Sequence, residues 1–223
     1  MVKIQSLHID IVSDVVCPWC VIGYKRLEQA LARYQEQLSY PEQFSIDLNW
    51  QPFELNSKMP LGGQNLREHL TEKYGASSNG SKSIRQQLTD LGASLNFNFN
   101  FFDEMRIYNT FKAHQLLYWA HSEGKQTELQ QQLFKAYFSD QQALDQDDVL
   151  ITAAISVGLK EEKAAAVLET QEFAEIVRKE QSTWLAHGIQ AVPAFIFNGR
   201  RLLSGAQEVE VLKEQIEISM TEL

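Results

Sequence analysis

Only two cysteines occur in the 223-residue chain, Cys17 and Cys20, three apart in CPWC at the end of the apolar run IDIVSDVV. A thiol is a poor nucleophile and its anion is the reactive form. Of two thiols one helical turn apart, one can attack a disulfide while the other resolves the mixed disulfide that results. Three readings compete: dithiol redox chemistry, half of a metal site, or two buried thiols acting as small hydrophobes. A zinc site needs two further ligands. No second cysteine pair exists, and His8, His69, His114, His121 and His187 show no compact ligand spacing, so no metal is expected.

The surrounding elements favour redox. Leu7 to Val16 is short and rich in Ile and Val, which suits a buried strand. Tyr24, Leu27, Leu31, Tyr34 and Leu38 recur at helical steps, and that helix should end near Ser39-Tyr40-Pro41. Phe44, Ile46, Leu48 and Trp50 alternate as in a second strand. The first fifty residues therefore read as a βαβ unit with both cysteines at the start of its helix. Unpaired N–H groups and the positive end of the helix dipole favour a thiolate there. Pro18 fits the first helical position, where its missing N–H is no loss. Trp19 brings no cationic ring, so activation rests on the backbone, and it is expected to sit beside an exposed Cys17 sulfur.

The far end has a different pattern. Ala194 to Phe197 and Arg201 to Ser204 read as strands joined through Asn198-Gly199, residues that tolerate positive φ. Val209, Leu212, Ile216 and Met220 give a closing helix. Pro193 precedes the first of these strands, where a missing N–H is tolerated. Paired with an upstream dithiol, Val192-Pro193 is expected to be a cis-proline loop facing the sulfurs, with the Val192 backbone free to pair with an extended substrate.

Between the halves, helical periodicity dominates. Phe111, His114, Gln115, Tyr118 and Trp119 form one stripe and Leu129, Leu133, Ala136 and Tyr137 a second. Val149 to Val157 forms a third, and Phe173, Ile176, Val177 and Trp184 continue the pattern. Thr127-Glu128 and Asp147-Asp148 mark helix starts, and residues 75–83, GASSNGSKS, read as an exposed loop. The expected architecture is an α/β fold of βαβ…ββα type, residues 1–55 and 188–223, split by a mostly helical insertion over 56–187.

Composition narrows the partners. A net charge of −9 argues against general nucleic-acid or anionic-membrane binding. No apolar run approaches the ~18 residues of a membrane span. Gln5, His8 and Asp10 interrupt the first apolar residues, unlike a signal peptide, so a cytoplasmic location is expected. Thiols are kept reduced there, which disfavours a permanent disulfide. The sequon Asn79-Gly80-Ser81 is then a chance match. Nothing in the pattern sets an oligomeric state.

Together, the βαβ–ββα split, CPWC and VPAF resemble the thioredoxin superfamily, in its DsbA-like branch with a helical insertion. The resemblance is closer still to the cytosolic FrnE-type dithiol-disulfide isomerases. It rests on SDVVCPWCVIGYKRLE, QPFELNSKMP with LREHLTEKYG, NTFKAHQLLYWA, LFKAYFSD and VPAFIFNGRRLLSGAQ, which span most of the chain. It implies a thioredoxin-like fold, a nucleophilic Cys17, a resolving Cys20 and a cis-proline at Pro193. Pro18, Trp19, Val192 and Pro193 would meet substrate. The implied activity is protein-disulfide oxidoreductase or isomerase, acting on thiol- or disulfide-containing proteins. No tightly bound cofactor is implied, and glutathione is the implied redox partner. Trp19 stands where periplasmic DsbA proteins usually carry a histidine, a departure that disfavours a strongly oxidising couple.

Two other readings remain open. Kappa-class glutathione transferases and hydroxychromene-carboxylate isomerases resemble this architecture and commonly activate glutathione with a serine at the catalytic position. Under either the glutathione or the disulfide-exchange reading, Asn109 and Phe111–His114 would line the cleft unless they serve ordinary helix packing. Under the glutathione reading Arg106, Lys112, Arg200 or Arg201 would meet a glutathione carboxylate. The presence of both Cys17 and Cys20 favours disulfide exchange instead. A redox sensor, switching a surface without turnover, is the third.

Overall fold

The computed structural model describes residues 5–75 and 78–222. Its first half runs β1 (Gln5–Ser13), α1 (Pro18–Glu36), β2 (Phe44–Pro52), β3 (Gln64–Asn65), α2 (Leu66–Tyr74), α3 (Ser78–Ser94) and β4 (Arg106–Ile107). Then follow α4 (Phe111–Ser122), α5 (Gln126–Phe138), α6 (Asp147–Ser156), α7 (Glu161–Thr170), α8 (Ala174–Ala186), β5 (Ala194–Phe197), β6 (Arg201–Ser204) and α9 (Val209–Thr221).

A four-stranded sheet of order β2-β1-β5-β6 carries the frame. β1 runs parallel to β2, with Ile9 opposite Leu48 and Ile11 opposite Trp50. It runs antiparallel to β5, with Ile11 opposite Phe195, and β5 doubles back into β6. Alternation along the strands gives two cores. Leu7, Ile9, Ile11, Phe195 and Phe197 join Leu27 and Leu31 of α1 and Leu212 and Ile216 of α9. Val12, Ala194 and Ile196 project the other way and meet Phe53 and Ile189, with Trp184 of α8 packed against them. The turn after β5 takes φ of +50° at Asn198 and +65° at Gly199. Asn198 also fastens the sheet: its Oδ1 accepts from the His8 N–H at 3.1 Å and its Nδ2 donates to Ser219 O at 2.9 Å.

The helical insertion, lying between β2 and β5, docks on the sheet through Trp50. Its ring packs on Tyr24 and Phe134 at centroid distances of 4.8 and 6.0 Å. Its backbone is clamped by the Gln126 amide, which accepts from Trp50 N–H and donates to Trp50 O, both at 2.9 Å. The frame is thus the expected thioredoxin-like one with a helical insertion.

Two expectations change, and one strand pairing is new. β1 ends at Ser13, and residues 14–16 form a turn rather than strand. Of the expected loop 75–83, Gly75 closes α2 at φ +65°, residues 76–77 lie outside those described, and the residues from Ser78 on are helix α3. The Ser, Asn and Gly content signals a loop, but packing of the Ser81 and Leu88 face overrides propensity. Finally, β3 pairs antiparallel with β4, a two-residue contact too short for any periodicity to reveal. It is held by the Arg106 guanidinium, which donates to Gly62 O and Gly63 O at 2.6 and 2.7 Å. A Cβ at Gly63 would lie 2.1 Å from Ile107 O, so the close approach requires glycine.

Candidate active site

Cys17 sits at the N-cap of α1 with extended backbone, and Pro18 opens the helix. The turn is closed by two backbone bonds, Cys17 N–H to Asp14 O at 3.0 Å and Cys20 N–H to Cys17 O at 3.1 Å. Both thiols are free. The Cys17 thiol donates to Val192 O at 3.7 Å, and the Val192–Pro193 bond is cis. CPWC and Val192-Pro193, 175 residues apart, therefore meet at one point.

The two sulfurs differ in environment. Burial pushes the Cys20 thiol well above its ordinary value, and a hydrogen bond with Cys17 adds to the rise. The Ser13 hydroxyl and the Asp14 backbone oppose that rise without cancelling it. The expected exposed sulfur is corrected: Cys17 is only 4% exposed, while Trp19 is 45% exposed. Placing Cys17 at the N-cap turns its side chain inward under the Val192 loop, and the Trp19 ring takes the outer position.

Cys17 opens onto a cavity of about 530 Å³ between the start of α1, the Val192 loop and the insertion. Leu66 and Leu70 of α2, Leu88 of α3, and Phe101, Met105 and Phe138 make most of its wall apolar. Phe101 stacks on Phe99 at 5.4 Å, and Phe99 and Phe101 both meet Phe138 edge-on, which stiffens that side. Sparse polar groups interrupt the wall. His69 bonds Gln64 through Nδ1 at 2.9 Å, and burial with Lys73 nearby lowers its pKa, which favours the neutral ring. Burial raises the Tyr137 hydroxyl, which donates to Arg106 O at 2.8 Å.

Behind the turn lies a buried polar pair, Asp14 and His114, that the sequence does not bring together. Asp14 is 1% exposed; its carboxylate accepts from Leu55 N–H at 2.8 Å and stands 3.5 Å from His114 Nε2. The signal was the rare placement of an acid inside an apolar run, SDVV, immediately before the cysteines. His69, Ser81 and Arg85 were also missed, because α2 and α3 fold over the site from outside the βαβ unit.

Four of the residues named for glutathione, Asn109, Lys112, Arg201 and Arg106, are engaged elsewhere. Asn109 donates to Met59 O at 3.2 Å and accepts from Phe111 N–H at 3.0 Å, so it shapes the start of α4. Lys112 pairs with Asp147 and Arg201 with Glu222, and Arg106 holds the Gly62-Gly63 turn. Neither these residues nor Phe111 and His114 line the cavity. Among the described residues, no three His, Cys, Asp or Glu side chains gather as a metal site. No helix among them is long and apolar enough to cross a membrane.

Known proteins resemble this chain in sequence and in fold. The chain is 27% identical to a probable DsbA oxidoreductase from Streptomyces coelicolor, with a TM-score of 0.88 over 97% of this chain and 91% of that one. It is 25% identical over 213 residues to the uncharacterized protein YwbO of Bacillus subtilis, covering 95% of this chain and 96% of YwbO. The fold alone is shared with a 2-hydroxychromene-2-carboxylate isomerase, at 13% identity and a TM-score of 0.69 over 96% and 97% of the two chains. The DSBA-like thioredoxin domain model matches residues 8–217, nearly the whole chain, and the protein belongs to that family of thioredoxin-fold oxidoreductases.

Proposed function

We propose that the protein is a cytoplasmic thiol–disulfide oxidoreductase or isomerase acting on protein substrates through Cys17 and Cys20. The observation that carries this reading is the asymmetry of the pair. One sulfur belongs to a residue that lines an apolar cleft, 3.7 Å from Val192 O. The other is sealed behind it and held as a thiol by burial. A nucleophile needs access and a resolving group needs to wait, and these environments divide the two roles.

In the reducing direction, the Cys17 thiolate attacks one sulfur of a substrate disulfide. That S–S bond breaks, the second substrate sulfur leaves as thiolate, and Cys17 is joined to the first. Cys20 then gives up its proton and attacks Cys17 Sγ. The substrate thiol departs, and the protein holds a Cys17–Cys20 disulfide, two electrons having passed to the substrate. Isomerisation stops earlier: a second substrate thiolate displaces Cys17 and leaves the protein unchanged. Glutathione, as redox partner, returns the oxidised form to the dithiol through the same two exchanges and leaves as its own disulfide. The backbone beside Val192 and the ring of Trp19 supply the contact for an extended substrate chain.

The test is equilibration across glutathione redox buffers, with the Cys17–Cys20 disulfide counted by alkylation and intact mass. A reversible two-electron transition with one midpoint is expected. A single stable glutathione adduct, or no oxidation, would overturn the proposal.

A further inference from the structure

Helix α3 turns Ser81, Ile84, Arg85 and Leu88 onto the cavity, at the i, i+3, i+4 and i+7 steps that share one helical face. Ile84 and Leu88 complete the apolar wall. The other two bring donors that no described residue satisfies. Ser81 is 4% exposed, and its Oγ has no hydrogen-bond partner among the described residues. Nε of Arg85 is buried and equally unpartnered. The rest of that guanidinium is loosely held, by Phe102 O at 3.4 Å and the exposed Asp103 carboxylate at 3.6 Å.

A buried donor left unpaired costs about 1–3 kcal/mol, and native interiors rarely leave two together without an occupant. An arginine Nε–H only donates, and a hydroxyl beside it is free to donate too, so the missing partner is an acceptor. Charge sharpens the choice. Among the described residues that line the cavity, Arg85 carries the only fixed charge, and no Asp or Glu takes part. This is a cationic spot inside a chain of net charge −9. Ser81 also falls in the first turn of a 17-residue helix, where the dipole favours an anion. The rest of the lining is mostly apolar and carries no other fixed charge, with Asn56, His69, Tyr137 and Gln190 as its remaining polar residues. Its volume of about 530 Å³ falls within the ~300–1,000 Å³ of small-molecule sites.

We propose that this cavity binds a small apolar monocarboxylic acid, its body against Leu66, Leu70, Leu88 and Phe138 and its carboxylate accepting from Ser81 Oγ and Arg85 Nε. A single anionic end matches the two donors, one helical turn apart, and no second fixed cation lines the cavity to meet a second charge. Binding makes and breaks no covalent bond and does not depend on the dithiol chemistry. It does place the ligand against Cys17, so an occupied cavity shields that thiol.

The test is calorimetric titration of the reduced protein with 4-phenylbutyrate and with 4-phenylbutanol, which has the same body without the charge. The acid is expected to bind at least about tenfold more tightly, the scale of charge-assisted hydrogen bonds. Ser81→Ala and Arg85→Met should each remove most of that preference and leave the alcohol unchanged. Ser81→Ala deletes a single buried oxygen, so it remains informative if Arg85→Met does not fold. Equal binding of acid and alcohol, no binding of either, or an acid preference that survives Ser81→Ala would each overturn the proposal. Calorimetry does not read disulfide exchange, so a negative result leaves the proposed function standing, and a failed redox titration leaves this one.

Discussion

Asp14 Oδ1 lies 3.5 Å from His114 Nε2, with both side chains buried directly behind the Cys17 turn. His114 Nε2 also donates to Phe53 O at 3.0 Å. Both neighbours of that nitrogen are acceptors, which assigns its hydrogen to Nε2. Asp14 thereby ties three segments together. Its carbonyl holds Cys17, its carboxylate holds Leu55 after β2, and its free oxygen faces α4. Asp14→Ala leaves the Leu55 N–H unpaired and should cost about 1–3 kcal/mol of stability, read from urea denaturation. Asp14→Asn keeps an acceptor for Leu55 and should lose less. Equal losses would show that the charge facing His114, not the bond to Leu55, sets the stability.

The division of labour in the dithiol predicts opposite outcomes for the two cysteines. Cys17→Ser should abolish exchange. Cys20→Ser should leave exchange stalled as a mixed disulfide of substrate with Cys17, visible by intact mass. Because burial raises the Cys20 thiol, alkylation at neutral pH should label Cys17 first, and small reagents should do so faster than bulky ones that must pass Trp19. Equal labelling rates for both sulfurs would contradict the assignment.

Gly23 gives a third prediction. A Cβ there would lie 2.9 Å from Pro193 Cγ and 3.2 Å from Phe195 Cζ. Glycine within a helix ordinarily costs about 1 kcal/mol relative to alanine, so Gly23→Ala would stabilise an exposed helix. Here the added methyl drives α1 against the loop that faces Cys17, and overpacking of about 1–3 kcal/mol should win. Thermal denaturation should show Gly23→Ala less stable than the parent, with slower disulfide exchange. A rise in stability would mean that the Pro193 loop yields freely.

The sequence carried the frame well because its elements are local. Ala194–Phe197 and Arg201–Ser204 match the observed strands, bounded by Asn198-Gly199. The meeting of Val192 with Cys17 was legible only by combining two motifs 175 residues apart. The cavity was not legible. Its walls come from α2, α3 and Phe101, the last braced by Phe99, and their roles depend on how the insertion folds back over α1. Ser81 lay in a stretch whose composition reads as loop, and Arg85 has no distinguishing neighbours in sequence. Asn109 and Lys112 drew attention for their chemistry, yet they serve a helix start and an ion pair.

His8 supplies a pH dependence independent of the dithiol. Its Nδ1 meets Asp47 at 2.8 Å and its Nε2 meets Asp10 at 3.1 Å, across β1 and β2. Partial burial lowers its pKa, but the bond to Asp47 and the charge of Asp10 outweigh this, and the net shift is upward from 6.5. A folded-state pKa above the unfolded one means that the native state binds the proton more tightly. The resulting stabilisation is fully present below pH 6.5 and fades as pH rises through the raised value. His8→Gln should therefore lower the denaturation midpoint more in mildly acidic buffer than in alkaline buffer. The ring is partly exposed, so added salt should shrink the difference. A midpoint shift that stayed constant with pH would show that the two aspartates confer no charge-dependent stability through His8.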